Sequence, residues 1–200
     1  MKAPKQSNNT ERMVAPEGNH VARLVQMYNL GSQEYTYQGE EKMRYEIRLG
    51  FELPTQTAKF GDSDEEKPYI VSKSASFSMH PKAFLRSVVE ACENVKLRDD
   101  EAENFDVESI MGKACLVNVK NGEGDYGKYA YIDKVTPLPS GMEAPAQINE
   151  SKLFNVSDYT QAQYDELPDW LQEKVRASKA KPTDNKKDDE KEINPDDIPF

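Results

Sequence analysis

The side chains with the most obvious chemistry in this chain are cations interleaved with aromatic rings. Lys42, Arg44 and Arg48 sit at even spacing in one run, and Arg23, Lys73, Lys120 and Lys128 lie in other apolar-patterned runs. Tyr35, Tyr37, Tyr126, Tyr129 and Tyr131 stand beside polar neighbours in turns or strands. Cations that follow phosphates, with flat rings that stack on bases, are what a sequence-tolerant grip on an unpaired nucleic-acid strand requires. Catalytic patterns are absent: the chain has no GxxxxGK[ST], no HExxH and no GxSxG. Gly122 to Gly127 formally fits GxGxxG, but a short strand pattern follows it instead of a helix, so no helix N-terminus would meet a pyrophosphate. Cys92 and Cys115 are far apart and read as buried thiols, His20 and His80 have no metal spacing, and Asp99–Glu108 lacks calcium-loop spacing. A non-enzymatic protein with no metal and no cofactor is expected.

Twenty-six basic against 36 acidic residues give a net charge of -10, which opposes nucleic-acid binding if the charge is spread evenly. It is not. Acidic residues concentrate at Asp62–Glu66 and Asp99–Glu108, which both read as loops, and in the last 24 positions, so the remainder can carry a local positive face. No run of about 18 apolar residues suggests a membrane span, and Met1–Asn19 has no apolar stretch of the secretory kind. A cytoplasmic protein is expected.

The chain ends in Asn194-Pro195-Asp196-Asp197-Ile198-Pro199-Phe200, after a segment from about Ala177 rich in Lys, Asp and Glu. Such a segment buries too little to offset its ordering entropy and is expected to be disordered. Ile198 and Phe200 at its tip read as apolar anchors for a partner's pocket, flanked by anionic groups for a basic rim. Asp196-Asp197-Ile198-Pro199-Phe200 resembles the acidic C-terminal tip of bacterial single-stranded DNA-binding proteins and their phage counterparts. That resemblance implies an OB-fold core that holds the strand. It also implies that the tip recruits replication and repair proteins such as a helicase, polymerase, primase or nuclease. The stretch from Gly18 through the Trp170 helix departs from the standard bacterial core and is more similar to divergent phage replication proteins. This points to a phage protein acting in the host bacterial cytoplasm, as a monomer or homodimer.

The elements that would position these residues follow from periodicity. Residues 1–19 read as a flexible arm, 20–139 as the core, 140–176 as a linker with a helical appendage, and 177–200 as the tail. A first strand is expected over His20–Leu30, ended by Gly31, with Tyr35 and Tyr37 in a polar connection that ends at Gly39. Lys42–Leu53 alternates without a break, placing Met43, Tyr45, Ile47, Leu49, Phe51 and Leu53 inward and Lys42, Arg44, Glu46, Arg48, Gly50 and Glu52 outward. Gly50 suggests a bulge and Pro54 a stop. Tyr69–Met79 reads as a third strand with a row of serines on one face and Lys73 interrupting the apolar one. Pro81 opens a helix whose stripe is Phe84, Leu85, Val88, Val89 and Cys92. Lys113–Lys120 and Lys128–Val135 form a hairpin. If Ala130 and Ile132 face in, Tyr129 and Tyr131 face out.

Three strands, a helix and two strands is the element order of a five-stranded OB-fold barrel. Beyond it, Thr160 and Gln163 form a capping box, and Pro168 opens a helix with Trp170, Leu171 and Val175 on one side; for Trp170, packing beside Leu171 is the reading preferred over stacking on a base. The fold expected is mainly β with a short helical appendage and an acidic tail. The function expected is non-sequence-specific binding and protection of single-stranded DNA in replication, recombination and repair. The alternative is an acidic interaction factor, a DNA mimic or adaptor, that uses the tip to occupy host proteins.

Overall fold

The computed structural model describes residues 13–61, 63–124 and 127–178. Its centre is an antiparallel sheet of long strands: β1 (Gly18–Tyr37), β2 (Glu40–Lys59), β3 (Glu66–Ser76), β4 (Ala114–Gly124) and β5 (Gly127–Thr136). Between β3 and β4 lie helix α1 (Phe84–Glu93), helix α2 (Asp99–Glu103) and a 3-10 turn (Val107–Ile110). A short strand, β6 (Lys152–Asn155), and helices α3 (Gln161–Asp165) and α4 (Asp169–Ala177) follow. The hydrogen-bonded order is β3-β2-β1-β4-β5, and β6 pairs parallel to β1.

β1 does not end at Gly31. Two bulges keep it going, one between Leu24 and Gln26 and one between Asn29 and Gly31, where Gly31 has φ +72°. Each bulge inserts an unpaired residue and reverses which side chains face which way. Leu24 therefore pairs with inward Phe51, while Gln26 pairs with outward Gly50. The bulge expected at Gly50 belongs to the neighbouring strand, and Gly50 instead makes room for Gln26: a Cβ there would lie 2.5 Å from Gln26 Oε1. Tyr35 and Tyr37, expected in a connection, end β1 at a two-residue turn, Gln38-Gly39, with φ of +52° and +83°. Positive φ at both positions is the hairpin turn that matches strand twist.

β2 passes through Pro54, which falls in the register irregularity between Leu53 and Thr57 where no ladder donor is needed. β3 starts three residues earlier than expected and stops before Phe77. α1 begins at Phe84, not at Pro81; Pro81 lies in a turn closed by Ala83 N–H donating to His80 O (2.8 Å). The acidic stretch expected as a loop forms α2, whose first turn Glu101 secures: its carboxylate accepts from the Arg98 backbone N–H (2.9 Å) and pairs with the Arg98 guanidinium (3.2 Å). Ahead of β1, Ala15 is already buried in the core.

The main core lies on the inner face of the sheet. Ile47, Leu49, Phe51 and Leu53 of β2 meet Leu24, Val71, Val117 and Ile132 from the other strands, and α1 adds Leu85, Val88 and Val89. A second, smaller core lies on the opposite face, where Tyr28 and Leu30 of β1 pack with Phe154 of β6 and with Leu167, Leu171 and Val175 of the α3–α4 segment. Both cysteines are free; the hydrogen bond with Cys92, then burial, pushes the Cys115 thiol up.

The closed barrel expected from the element order does not form. β3 and β5 are the two ends of the ladder and share no backbone pairing among the described residues. The seam between them is occupied by side chains. Lys73, at an inward position of β3 opposite Leu49, sits 4.4 Å over the Phe84 ring and donates from Nζ to Ile132 O (3.4 Å). A lysine stem and a phenyl ring stand where strand pairing would close the sheet. No helix among the described residues is long and apolar enough to cross a membrane.

Candidate nucleic-acid interface

The β1–β2 hairpin places cations directly over rings. Tyr35 is opposite Lys42 in the register, and Tyr37 is opposite Glu40. Lys42 Nζ lies 5.0 Å from the Tyr37 ring centre and the Arg44 guanidinium 5.6 Å from that of Tyr35. Four residues further along the same face, past Glu46, Arg48 lies 4.8 Å from the Trp170 ring of α4. Three cations of β2 thus each ride an aromatic ring, an attraction of about 0.5–2 kcal/mol depending on desolvation.

Glu46 interrupts that row and explains its order. It is 1% exposed and accepts from Lys174 Nζ of α4 (2.6 Å) and from Arg44 (2.8 Å). Burial acts to raise its pKa, but the hydrogen bonds and charges of Lys174 and Arg44 together outweigh burial and hold the carboxyl below its ordinary value. Arg48 donates to Ser74 Oγ across the β2–β3 register (3.4 Å). Burial lowers the Arg48 pKa, against the pull of Glu46 and the Tyr28 phenol.

This row leads into a groove of about 1260 Å³. Its floor carries Arg44, Arg48, Ser72, Lys73 and Ser74 from β2 and β3, and one side is the β4–β5 hairpin with Gly122, Tyr129 and Tyr131. Lys82 and Phe84 from the start of α1, and Trp170 and Lys174 from α4, complete the lining. Five cations against two acids, Glu123 and Asp133, line it within a chain of net charge -10, and an excess of cations remains after Glu46, shared by Arg44 and Lys174, is set against them. A concave, low-dielectric surface with an excess of one sign concentrates field lines, so the groove is locally attractive to anions.

The tyrosines face the groove for a simple reason. Ile132 is buried and Ala130 half-buried on the inner side of β5, so the alternate positions point outward. Tyr129 is 45% exposed and Tyr131 38%, with ring centres 6.0 Å apart. Tyr129 lies against the backbone of its partner Gly122, where a Cβ would come within 2.7 Å of the ring. Glycine at 122 is therefore a requirement of that ring position.

Of the residues singled out in the sequence, Arg44, Arg48, Lys73, Tyr129 and Tyr131 line one groove, and Tyr35, Tyr37 and Lys42 lie in the adjoining hairpin row. Lys128 is exposed opposite Glu123 in the hairpin, and Lys120 pairs with Asp133 (2.8 Å). Arg23 belongs elsewhere. It donates to the carbonyls of Pro145 (2.5 Å), Gly112 (2.8 Å) and Ala144 (3.3 Å), clamping the segment after β5 to the sheet. Tyr126 and the tip Asp196, Asp197, Ile198, Pro199 and Phe200 lie outside the described residues. Two lining residues escaped the sequence reading, Lys82 and Lys174, and a third, Trp170, was read as packing and not as a stacking residue. The helical pattern held a signal for the last. Leu171 and Val175 alone define the buried stripe of α4, and position 170 lies about 100° round the helix from Leu171.

Among the described residues no three histidine, cysteine or acidic side chains converge on a metal-sized site. No protein-family model matches this chain, and no curated protein sequence matches it significantly.

Proposed function

We propose that this protein binds single-stranded DNA without sequence selectivity and does so without catalysing a reaction. The observation that carries the reading is the groove in which five cations surround two exposed tyrosines. Oligonucleotide-binding folds of the OB type use the face of strands 2 and 3 and the loops after strands 1 and 4. Here the groove floor is on β2 and β3, one wall is the β4–β5 hairpin, and the aromatic–cation row runs along the β1–β2 hairpin. We read the open sheet as a member of that architecture whose last seam is left to Lys73 and Phe84. The serines at 72 and 74 keep the floor low enough for a sugar–phosphate chain to approach.

In the same proposal the Asp196–Phe200 tip recruits replication and repair proteins, and the setting is bacterial cytoplasm, with a phage as the source and a monomer or homodimer as the working unit. The tail carboxylates compete with phosphates for the groove when no strand is bound. The net charge of -10 favours the second reading, an acidic adaptor or DNA mimic, but the sign of the groove disfavours it.

Fluorescence anisotropy with labelled single- and double-stranded oligonucleotides over a salt series tests the proposal. The single strand binds more tightly, its affinity falls linearly in log–log form with salt, and removing Asp188–Phe200 tightens it. Changing both Tyr129 and Tyr131 to Ala weakens binding by roughly 1–3 kcal/mol per lost stack. No binding to any strand at low salt would favour the adaptor. Competition between DNA and RNA of equal length separates an RNA-binding module.

A further inference from the structure

We infer that α4 is a wall of the strand-binding groove and that the Trp170 indole is a stacking platform for an unpaired base. The inference rests on the proposed single-strand binding and adds to it a contact from a segment outside the five-stranded sheet.

Trp170 sits on a helix whose buried positions, Leu171 and Val175, already satisfy the second core. The indole is not needed there and stays 45% exposed, as much as Tyr129 across the groove. Its ring is supported by the Arg48 guanidinium at 4.8 Å, and Arg48 is in turn held by Ser74. The helix that carries it is tied to β1 and β2. Lys174, one turn later, is tied to buried Glu46, and Gln33 Nε2 donates to the Lys174 carbonyl (3.0 Å). An aromatic face held rigidly on a cation, in a groove lined by further cations and two tyrosines, is pre-organised for a base flanked by phosphates. Arg48 serves both parts: its plane supports the indole and its charge faces the groove. A bound strand would continue from Trp170 along the same face of β2, where Arg44 lies over Tyr35 and Lys42 over Tyr37.

Trp170 is the only tryptophan in the chain, so the contact reports on itself. The full-length protein is titrated with an oligo-dT strand while intrinsic tryptophan emission and the anisotropy of a labelled strand are followed in parallel. Emission is quenched in step with occupancy. Trp170→Ala weakens binding roughly tenfold, as loss of one stacked base should, and Trp170→Phe retains most of the affinity. Both variants are checked to unfold at the wild-type temperature, since the indole is not part of either core. Binding with unchanged emission, with Trp170→Ala as tight as wild type, or with Trp170→Phe as weak as Trp170→Ala, overturns the inference and leaves the binding function standing. Failure of the wild type to bind any strand removes both.

Discussion

The two faces of β2 are both largely buried, and they are buried by opposite means. On the inner face, Ile47, Leu49, Phe51 and Leu53 pack hydrocarbon against hydrocarbon. On the outer face, Glu46 and Glu52 are as inaccessible as the leucines, at 1% and 0% exposure. Each carboxylate is satisfied by a segment from the C-terminal third of the chain. Glu52 accepts from the backbone N–H of Ile148 (2.8 Å) and from the N–H and Nδ2 of Asn149 (2.6 Å each), and Glu46 accepts from Lys174. The inner face supplies cohesion. The outer face supplies address: an acceptor at each of two places tells residues 148–149 and α4 where to dock, as buried polar groups specify position more than they stabilise. That docking brings Trp170 and Lys174 to the groove.

Breaking the inner face should cost most. Phe51→Ala removes a fully buried ring and leaves a cavity, so urea unfolding should show a loss of about 3–5 kcal/mol. A loss below about 1 kcal/mol would mean that the inner face is not the dominant core.

Glu52→Gln comes next. It keeps the shape but replaces an acceptor by a donor facing donors, with an expected cost of about 2 kcal/mol. The loss should be local: hydrogen exchange quickens first at the Ile148 and Asn149 amides, ahead of the β2 amides. Uniform quickening would erase the distinction between cohesion and address.

The smallest effect, and the most pH-dependent, belongs to Glu46→Gln, at about 1 kcal/mol near neutrality because Lys174 and Arg44 are partly solvated. The folded pKa of Glu46 lies below its unfolded value, so the unfolded chain takes up the proton first as pH falls. The contribution is therefore complete above the ordinary carboxylate pKa of about 4.3 and is lost as pH falls through the lower folded value. The difference in melting temperature between wild type and Glu46→Gln should be constant from about pH 7 to 5 and should close at lower pH. A gap that persists or widens in acid would contradict the direction of the shift.

The same strands show what a linear reading can reach. Alternation in Lys42–Leu53 marks β2 and its inner face because a pleated strand sends successive side chains to opposite sides. The α1 stripe, the Thr160–Gln163 capping box and the outward tyrosines of β5 were legible for the same reason: each depends on residues a few positions apart. What was not legible depends on distant partners. Arg23 reads like the other cations until the carbonyls of residues 112, 144 and 145 reach it. β6 is four residues long and has no periodicity of its own; it is a strand because β1, bent by its two bulges, presents a free edge.

Local order therefore came from sequence alone where a period is long enough to read: the centres of β1 to β5, the α1 stripe, the aromatic–cation composition and the uneven charge. Whether the outer face of β2 stays wet, whether the sheet closes, and which rings share a groove were decided only in three dimensions. Those outcomes turn on whether a distant donor satisfies a carboxylate and whether a lysine and a phenyl ring fill a seam. Periodicity reports which way a side chain points; it carries no information about what arrives to meet it.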